Sequence, residues 1–323
     1  MCQEKSQSGQ RDDARSLLGQ LTGFREPDIQ TPMSGFSLDL GDGSRWWIAG
    51  SPYTSFIAKK MGTIMELEEG DPEDCHLMFF YDRDRDYRSS ELTHLLAQGW
   101  INIYQKHFQI FFHPKLHHVL CEYDPLSNAM SLYALMSSAV HAIHWGTICR
   151  RGLPFHATLL EYQGQGVLLA ATGGTGKSTC SRRVPPPWRA ICDDEVLVVL
   201  SPEGKYLAHP FPTWADYFWN RSEKTWKVEE AVPLAGIFFI EQALEDDCSP
   251  LEGAQAAVSS TYSAEQIMFF QFLCESDTDE TREVRRLGFA NACDIIKQVP
   301  AFRLGVSLTG RFWEKIEAAL DWR

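Results

Sequence analysis

The chain has 323 residues, a formal net charge of −13 and 44% apolar residues, enough for one large or two ordinary globular domains with a real core. Such an acidic balance makes it a poor candidate for non-specific binding to nucleic acid or to an anionic membrane. Nine cysteines are scattered without a C-x-x-C pair, which excludes a zinc ribbon or thioredoxin-type site; Cys75, Cys121, Cys149, Cys180, Cys192, Cys274 and Cys293 read as buried, reduced thiols of a cytoplasmic protein.

Residues 1–32 are rich in Gln, Ser, Gly, Asp and Arg and carry no apolar h-region, so they read as a flexible leader rather than a secretory signal. Residues 33–123 show short β-type runs, Ser44–Ile48 with its paired tryptophans, Leu77–Tyr81 and Trp100–Phe112. Between them lie the acidic stretch Glu66–Glu73 and the mixed-charge, solvated Asp82–Arg88. This pattern predicts a small N-terminal α+β domain. From 124 onward a second domain is expected. Asp124 is placed to cap a helix, with Pro125 in its first turn, and that helix runs to about Arg151. Its apolar stretch Ala129–Cys149 is broken by Ser131, Ser137, Ser138, His141 and His144, which predicts an amphipathic core helix and no membrane span.

A strand Phe155–Glu161, a turn at Gln163–Gly166 and an apolar strand Val167–Ala170 then form a hairpin signal. Its second strand feeds Ala171-Thr172-Gly173-Gly174-Thr175-Gly176-Lys177-Ser178, followed by Thr179. This run fits the phosphate-loop pattern with Ala in place of the first Gly. The chemistry needs that composition. Glycine's freedom at positive φ turns backbone N–H groups toward phosphate oxygens, and a helix start favours the anion. Lys177, expected in an exposed loop-to-helix junction, supplies a mobile positive charge, and Ser178 a hydroxyl for Mg²⁺. Ser178–Arg183 is a short helix stopped by Pro185-Pro186-Pro187.

Beyond the prolines, Asp193-Asp194 interrupt an apolar run ending in Val196–Leu200. In a phosphate-loop fold a strand beside the loop-bearing strand ends in an acidic residue that holds Mg²⁺. Neighbouring strand residues face opposite ways. Two carboxylates in a row therefore mean either a bend or two tasks, one toward the metal and one accepting the proton of an attacking hydroxyl.

The run Leu153-Pro154-Phe155-His156-Ala157, the hairpin, the glycine loop and the double Asp resemble the HPr kinase/phosphorylase-type kinases. The resemblance covers roughly His141–Leu320. It implies an α/β chain whose C-terminal domain, 124–323, is a PEP carboxykinase-like P-loop catalytic domain using ATP and Mg²⁺. Downstream segments Ala208–Trp214, Pro233–Ile240, Val299–Leu304 and Phe312-Trp313-Glu314 resemble a smaller branch that includes kinases of peptide natural-product cassettes, and the whole chain is similar to the SynChlorMet cassette family. By that resemblance Lys177 and Ser178 are the phosphate and Mg²⁺ residues, Asp194 the general base and Asp193 the residue near the metal. His156 stands beside the γ-phosphate or caps its strand. The Glu-x-Arg-Gly signature of HPr kinases is missing, so efficient HPr phosphorylase activity is not expected.

The expected reaction is transfer of the γ-phosphoryl group to a Ser or Thr hydroxyl, in a peptide or small-protein acceptor. Two other readings stand beside it: a small-molecule kinase of the free-serine type, and a nucleotide-binding partner protein of a peptide-modifying cassette with little turnover. Homo-oligomerisation is left open. His113, His117 and His118 lack a completing carboxylate or Cys at metal-site spacing, and His141 and His144 read as packed helix residues. Phe211, Trp214, Tyr217, Phe218 and Trp219 either line a groove or belong to the core, and Arg282, Arg285 and Arg286 read as a solvated helix face.

Overall fold

In the computed structural model, residues 34–71, 75–80, 100–105, 107–113, 117–123, 129–219, 221, 223–267 and 279–322 are described. Asp124 and Pro125, the Asp82–Arg88 loop, the leader and Cys274 lie outside them. Two compact units emerge: Met1–Asp39 with Ser44–Ile143, and Leu40–Gly43 with His144–Arg323.

Among the described residues, the first unit is built on a seven-stranded mixed sheet in the order β3-β1-β2-β4-β7-β6-β5. Its strands are β1 (Gly35–Asp39), β2 (Arg45–Gly50), β3 (Glu69–Gly70), β4 (Cys75–Phe80), β5 (Ile101–Gln105), β6 (Phe108–His113) and β7 (His118–Tyr123), with helix α1 (Ser55–Ile64) between β2 and β3. The single run expected at 100–112 is two strands, β5 and β6, paired antiparallel with Ile103 opposite Ile110. Its apolar residues carry no Gly or Pro to mark the reversal, so pattern alone reads through it. The paired tryptophans divide between the two faces, as the alternation of a strand requires. Trp47 joins Ala49, Met78, Phe80, Trp100, Phe111 and Leu120 in one buried cluster.

Helix α2 (Ala129–Ile148) ends three residues before the expected Arg151. The second unit then forms an eight-stranded mixed sheet from β8 (Leu153–Tyr162), β9 (Gln165–Ala170), β10 (Arg189–Cys192), β11 (Glu195–Leu200), β12 (Tyr206–Phe211), β13 (Val232–Gln242), β14 (Asp247–Pro250) and β15 (Ala301–Val306). Its helices are α3 (Lys177–Arg183), α4 (Trp214–Phe218), α5 (Gly253–Ile267), α6 (Asp279–Gln298) and α7 (Phe312–Ala319). Strands β8, β9 and β11 are buried along nearly their whole length. That explains why they read as continuous apolar runs rather than alternating ones.

The hairpin turn between β8 and β9 is Gln163-Gly164, both at positive φ (51° and 79°). Two such residues match the twist of the flanking strands, the demand of a two-residue type I′ connection. Strand β9 then lies parallel to β13, with Ala170 opposite Phe239. Strand β13 in turn lies parallel to β15. Phe238 and Phe302, register partners on β13 and β15, stack at 4.9 Å within a cluster that includes Leu169, Cys180, Trp188 and Phe312. This core fixes the C-terminal ends of three parallel strands side by side. Among the described residues no helix is long and apolar enough to cross a membrane.

Candidate active site

The run Ala171–Ser178 leaves the buried end of β9 and turns into α3. Gly174 and Gly176 adopt φ of 80° and 118°, conformations that a β-carbon opposes. A β-carbon placed at Gly173, Gly174 or Gly176 would meet no atom within 4 Å, so these glycines line open space. Thr172 and Thr175 brace the loop: their hydroxyls lie 3.0 Å apart and the Thr175 hydroxyl donates to the Thr172 carbonyl at 2.9 Å. Gln242, at the end of β13, donates to the Thr175 carbonyl. Among the described residues the N–H groups of Gly173, Gly174, Gly176, Lys177 and Ser178 find no partner. Ser178 and Thr179 are exposed at the start of the helix.

Lys177 departs from expectation. It is buried, at 6% exposure, rather than standing free at the junction. Its ammonium folds back under the loop, donating to the Ala171 carbonyl at 2.9 Å and approaching the Thr172 carbonyl at 3.5 Å. Its third neighbour is Nε2 of His156, at 3.1 Å. Burial lowers its pKa, and the charge of Asp194 works against that shift. With the nearby carbonyls as acceptors, the ammonium is held at the loop's inner wall instead of reaching into water.

The two aspartates sit in a bend between β10 and β11. Both strands pair antiparallel with β8, not with the loop-bearing β9. The expectation that the acidic strand neighbours the loop strand is therefore corrected: β8 stands between them. The pairing with β8 breaks at the bend, where the Ala157 N–H donates to the Asp194 carbonyl and the Thr158 hydroxyl to the Asp193 carbonyl, both at 3.1 Å. Interruptions of this kind re-aim side chains. Here the Asp194 carboxylate reaches His156, with Oδ1 2.9 Å from Nε2. Burial alone pushes the Asp194 carboxyl up; the hydrogen bond and charge of His156, aided by Lys177, overcome it and hold the group below the usual aspartate range. The Asp193 carboxylate has no partner among the described residues.

His156 thus links Lys177 to Asp194. Its other nitrogen, Nδ1, lies 2.8 Å from Oε1 of Gln266 on α5, and Ser263 of the same helix donates to the His156 carbonyl at 3.4 Å. Gln266 is not legible in the sequence, since it stands 110 positions along the chain with no motif around it. Behind the bend, buried Glu195 lies 3.3 Å from His144. Its carboxyl is pushed well above the ordinary range, first by burial and then by the charge of Asp194.

A family model described as SynChlorMet cassette protein ScmC matches residues 119–321. The chain belongs to the SynChlorMet cassette protein ScmC family. No curated protein matches it. The segment matched by the ScmC model contains the glycine loop, the Asp193-Asp194 bend, His156 and α5.

The remaining candidates lie elsewhere. Phe211, Trp214 and Tyr217 are buried, and Tyr217 packs against Trp226 with centroids 6.1 Å apart, so these three are core, whereas Phe218 is half-buried and Trp219 exposed. Arg282 and Arg286 pair with Asp279 and Glu283 on an exposed helix face. His118 is depressed to about 4 by burial, then by His76, His113 and His117; His141 is likewise lowered to about 4 by burial. Among the described residues no group of three or more His, Cys, Asp or Glu side chains can hold a metal. Cys75, Cys121, Cys180 and Cys192 are buried free thiols and Cys293 is partly buried, but Cys149, at the end of its helix, is exposed rather than buried.

Proposed function

We propose that this chain is an ATP-dependent kinase that transfers the γ-phosphoryl group to a Ser or Thr hydroxyl, with a peptide as acceptor. The observation that carries this reading is the meeting of Lys177, His156 and Asp194 beside a glycine loop in which, among the described residues, the N–H groups of Gly173, Gly174, Gly176, Lys177 and Ser178 find no partner. Unpaired loop N–H groups with a lysine beside them suit an anion. A carboxylate held ionised at the same place is a proton acceptor. The topology agrees, since the loop leaves the C-terminal end of a parallel strand, where ligands of open α/β sheets bind. On this reading the C-terminal unit is a PEP carboxykinase-like P-loop domain.

In the proposed reaction the loop N–H groups and Lys177 hold the phosphates of ATP in line with the acceptor. The acceptor oxygen forms a bond to the γ-phosphorus as the bond to the β–γ bridging oxygen breaks, and ADP leaves. The hydroxyl proton passes to Asp194. Exposed Ser178 and the Asp193 carboxylate are hard oxygen donors that would hold Mg²⁺. When bound, it neutralises charge building on the phosphates.

A peptide acceptor is favoured by the first unit. Its sheet ends at β5, which pairs only with β6 among the described residues and carries Tyr104 at 66% exposure. Sheet edges are where extended peptides dock. The test offers Mg·ATP with Ser/Thr peptides and, separately, free serine to the full chain. A gain of about 80 Da on a peptide, the mass of an added phosphoryl group, supports the proposal. Rapid phosphorylation of free serine with every peptide ignored replaces the peptide with a small molecule.

A further inference from the structure

We infer that Gln266 is a positioning residue that fixes the tautomer of His156, keeping the proton on Nδ1 so that Nε2 is the nitrogen that exchanges partners between Lys177 and Asp194. The inference deepens the proposed function and rests on it for its kinetic consequence, but not for its structural one.

The argument begins with the amide of Gln266. Its two ends look alike in size, and hydrogen bonding decides which is which. One end faces the Tyr262 carbonyl at 3.4 Å, an acceptor only, so the NH₂ group belongs there. The other end, 2.8 Å from Nδ1 of His156, is then the carbonyl oxygen. A carbonyl oxygen accepts and cannot donate, so Nδ1 must carry a hydrogen. Helix α5 also holds the ring's own backbone through the Ser263 hydroxyl, so the ring is clamped at both main chain and Nδ1 by one helix face.

With Nδ1 committed as a donor, the state of Nε2 is the only variable. It has two neighbours of opposite kind, the Lys177 ammonium at 3.1 Å and the Asp194 carboxylate at 2.9 Å. Bare, Nε2 accepts from Lys177. Protonated, it donates to Asp194. A fixed Nδ1–H therefore leaves Nε2 as the nitrogen that faces both the cation that would meet phosphate and the carboxylate that would take the hydroxyl proton. Without Gln266 the neutral ring is free to put its single hydrogen on Nε2. A charge-assisted bond to Asp194 then captures it, leaving Lys177 without this acceptor.

The test labels the histidines of the full chain with ¹⁵N and assigns the His156 ring signals by comparison with His156→Gln. At a pH where the ring is neutral, the wild-type chain should show hydrogen on Nδ1 and a bare Nε2. Gln266 is exposed on the last turn of α5, so Gln266→Leu should fold normally and move the hydrogen largely to Nε2. Gln266→Glu keeps an oxygen acceptor and should retain Nδ1–H. In transfer assays Gln266→Leu should lower kcat on the order of 10–100-fold, the scale seen when the outer partner of a ligand histidine is lost. KM for ATP should hold, and Gln266→Glu should recover more of the rate than Gln266→Leu. A tautomer that is identical in wild type and Gln266→Leu, or a wild-type ring with its hydrogen on Nε2, overturns the inference whatever the rates. The predicted tautomer change in a chain that transfers no phosphoryl group supports the role of Gln266 and sinks the kinase reading alone.

Discussion

Replacing Lys177 separates what the buried ammonium does for the fold from what it does for a ligand. Its pKa is lowered chiefly by burial, so folding disfavours its charged form. Lys177→Met keeps most of the apolar stem and removes that penalty, at the cost of an unpaired Ala171 carbonyl, worth ~1–3 kcal/mol if it stays dry. The two terms oppose each other, and the unfolding free energy of Lys177→Met at neutral pH should stay within about 2 kcal/mol of wild type. The sign of the pH dependence follows from the same shift. Between the lowered value and the ordinary 10.5, the unfolded chain still holds a proton that the folded one has released. Wild-type stability should therefore rise with pH across that window, and in Lys177→Met the rise should vanish. Toward ATP, the methionine forfeits a charge-assisted hydrogen bond worth ~1.5–3 kcal/mol, or roughly a 10- to 100-fold weaker Kd. Calorimetric titration with a non-hydrolysable ATP analogue and denaturant unfolding at several pH values read both quantities. Unchanged nucleotide affinity with intact folding would refute the phosphate role. A loss of stability well above about 3 kcal/mol would show that the ammonium is a structural strut.

The two aspartates should fail differently. Asp194→Asn should cut transfer roughly 10²–10⁴-fold while ATP binding holds, whereas Asp193→Asn should mainly raise the Mg²⁺ concentration needed for half-maximal rate; identical metal defects in both would end that division of labour. Gly176→Ala should destabilise the chain by roughly 1–3 kcal/mol in denaturant unfolding, because φ of 118° strains any β-carbon even though the space beside it is open; unchanged stability would mean the loop relaxes freely. For Glu195, a carboxyl raised by burial and by Asp194 makes the folded state hold a proton that the unfolded chain has lost, so its cost appears as pH rises above the ordinary 4.5. Glu195→Gln should gain stability relative to wild type at pH 8 compared with pH 5, and a gain that shrinks with pH would contradict the shift.

Local chemistry was readable where it is written locally. The β8–β9 hairpin, the glycine loop and α3 follow from an apolar run, a glycine-bearing turn at Gln163–Gly166 and a proline stop, all within thirty or so positions. The bend at Asp193-Asp194 was one of two readings because strand alternation cannot hold two adjacent carboxylates on one side. What sequence could not supply was the partner of each side chain. Lys177 reads as an exposed cation because the pattern carries no sign of the Ala171 and Thr172 carbonyls that bury it. The insertion of β8 between the aspartates and β9 depends on sheet order, which no spacing encodes. Gln266 and Ser263 reach His156 only because α5 packs on β8, a long-range event in a helix of otherwise ordinary composition.

The central claim is that Lys177, His156 and Asp194 form a phosphoryl-transfer site. Its most direct measurement gives ATP labelled at the γ-phosphorus, with Mg²⁺ and a Ser/Thr peptide pool, to the wild-type chain and to Asp194→Asn side by side, recording bound nucleotide and label in peptide. The account predicts equal binding by both chains and label entering peptide only with wild type. Failure of the wild-type chain to bind ATP, or equal labelling by Asp194→Asn, would contradict it.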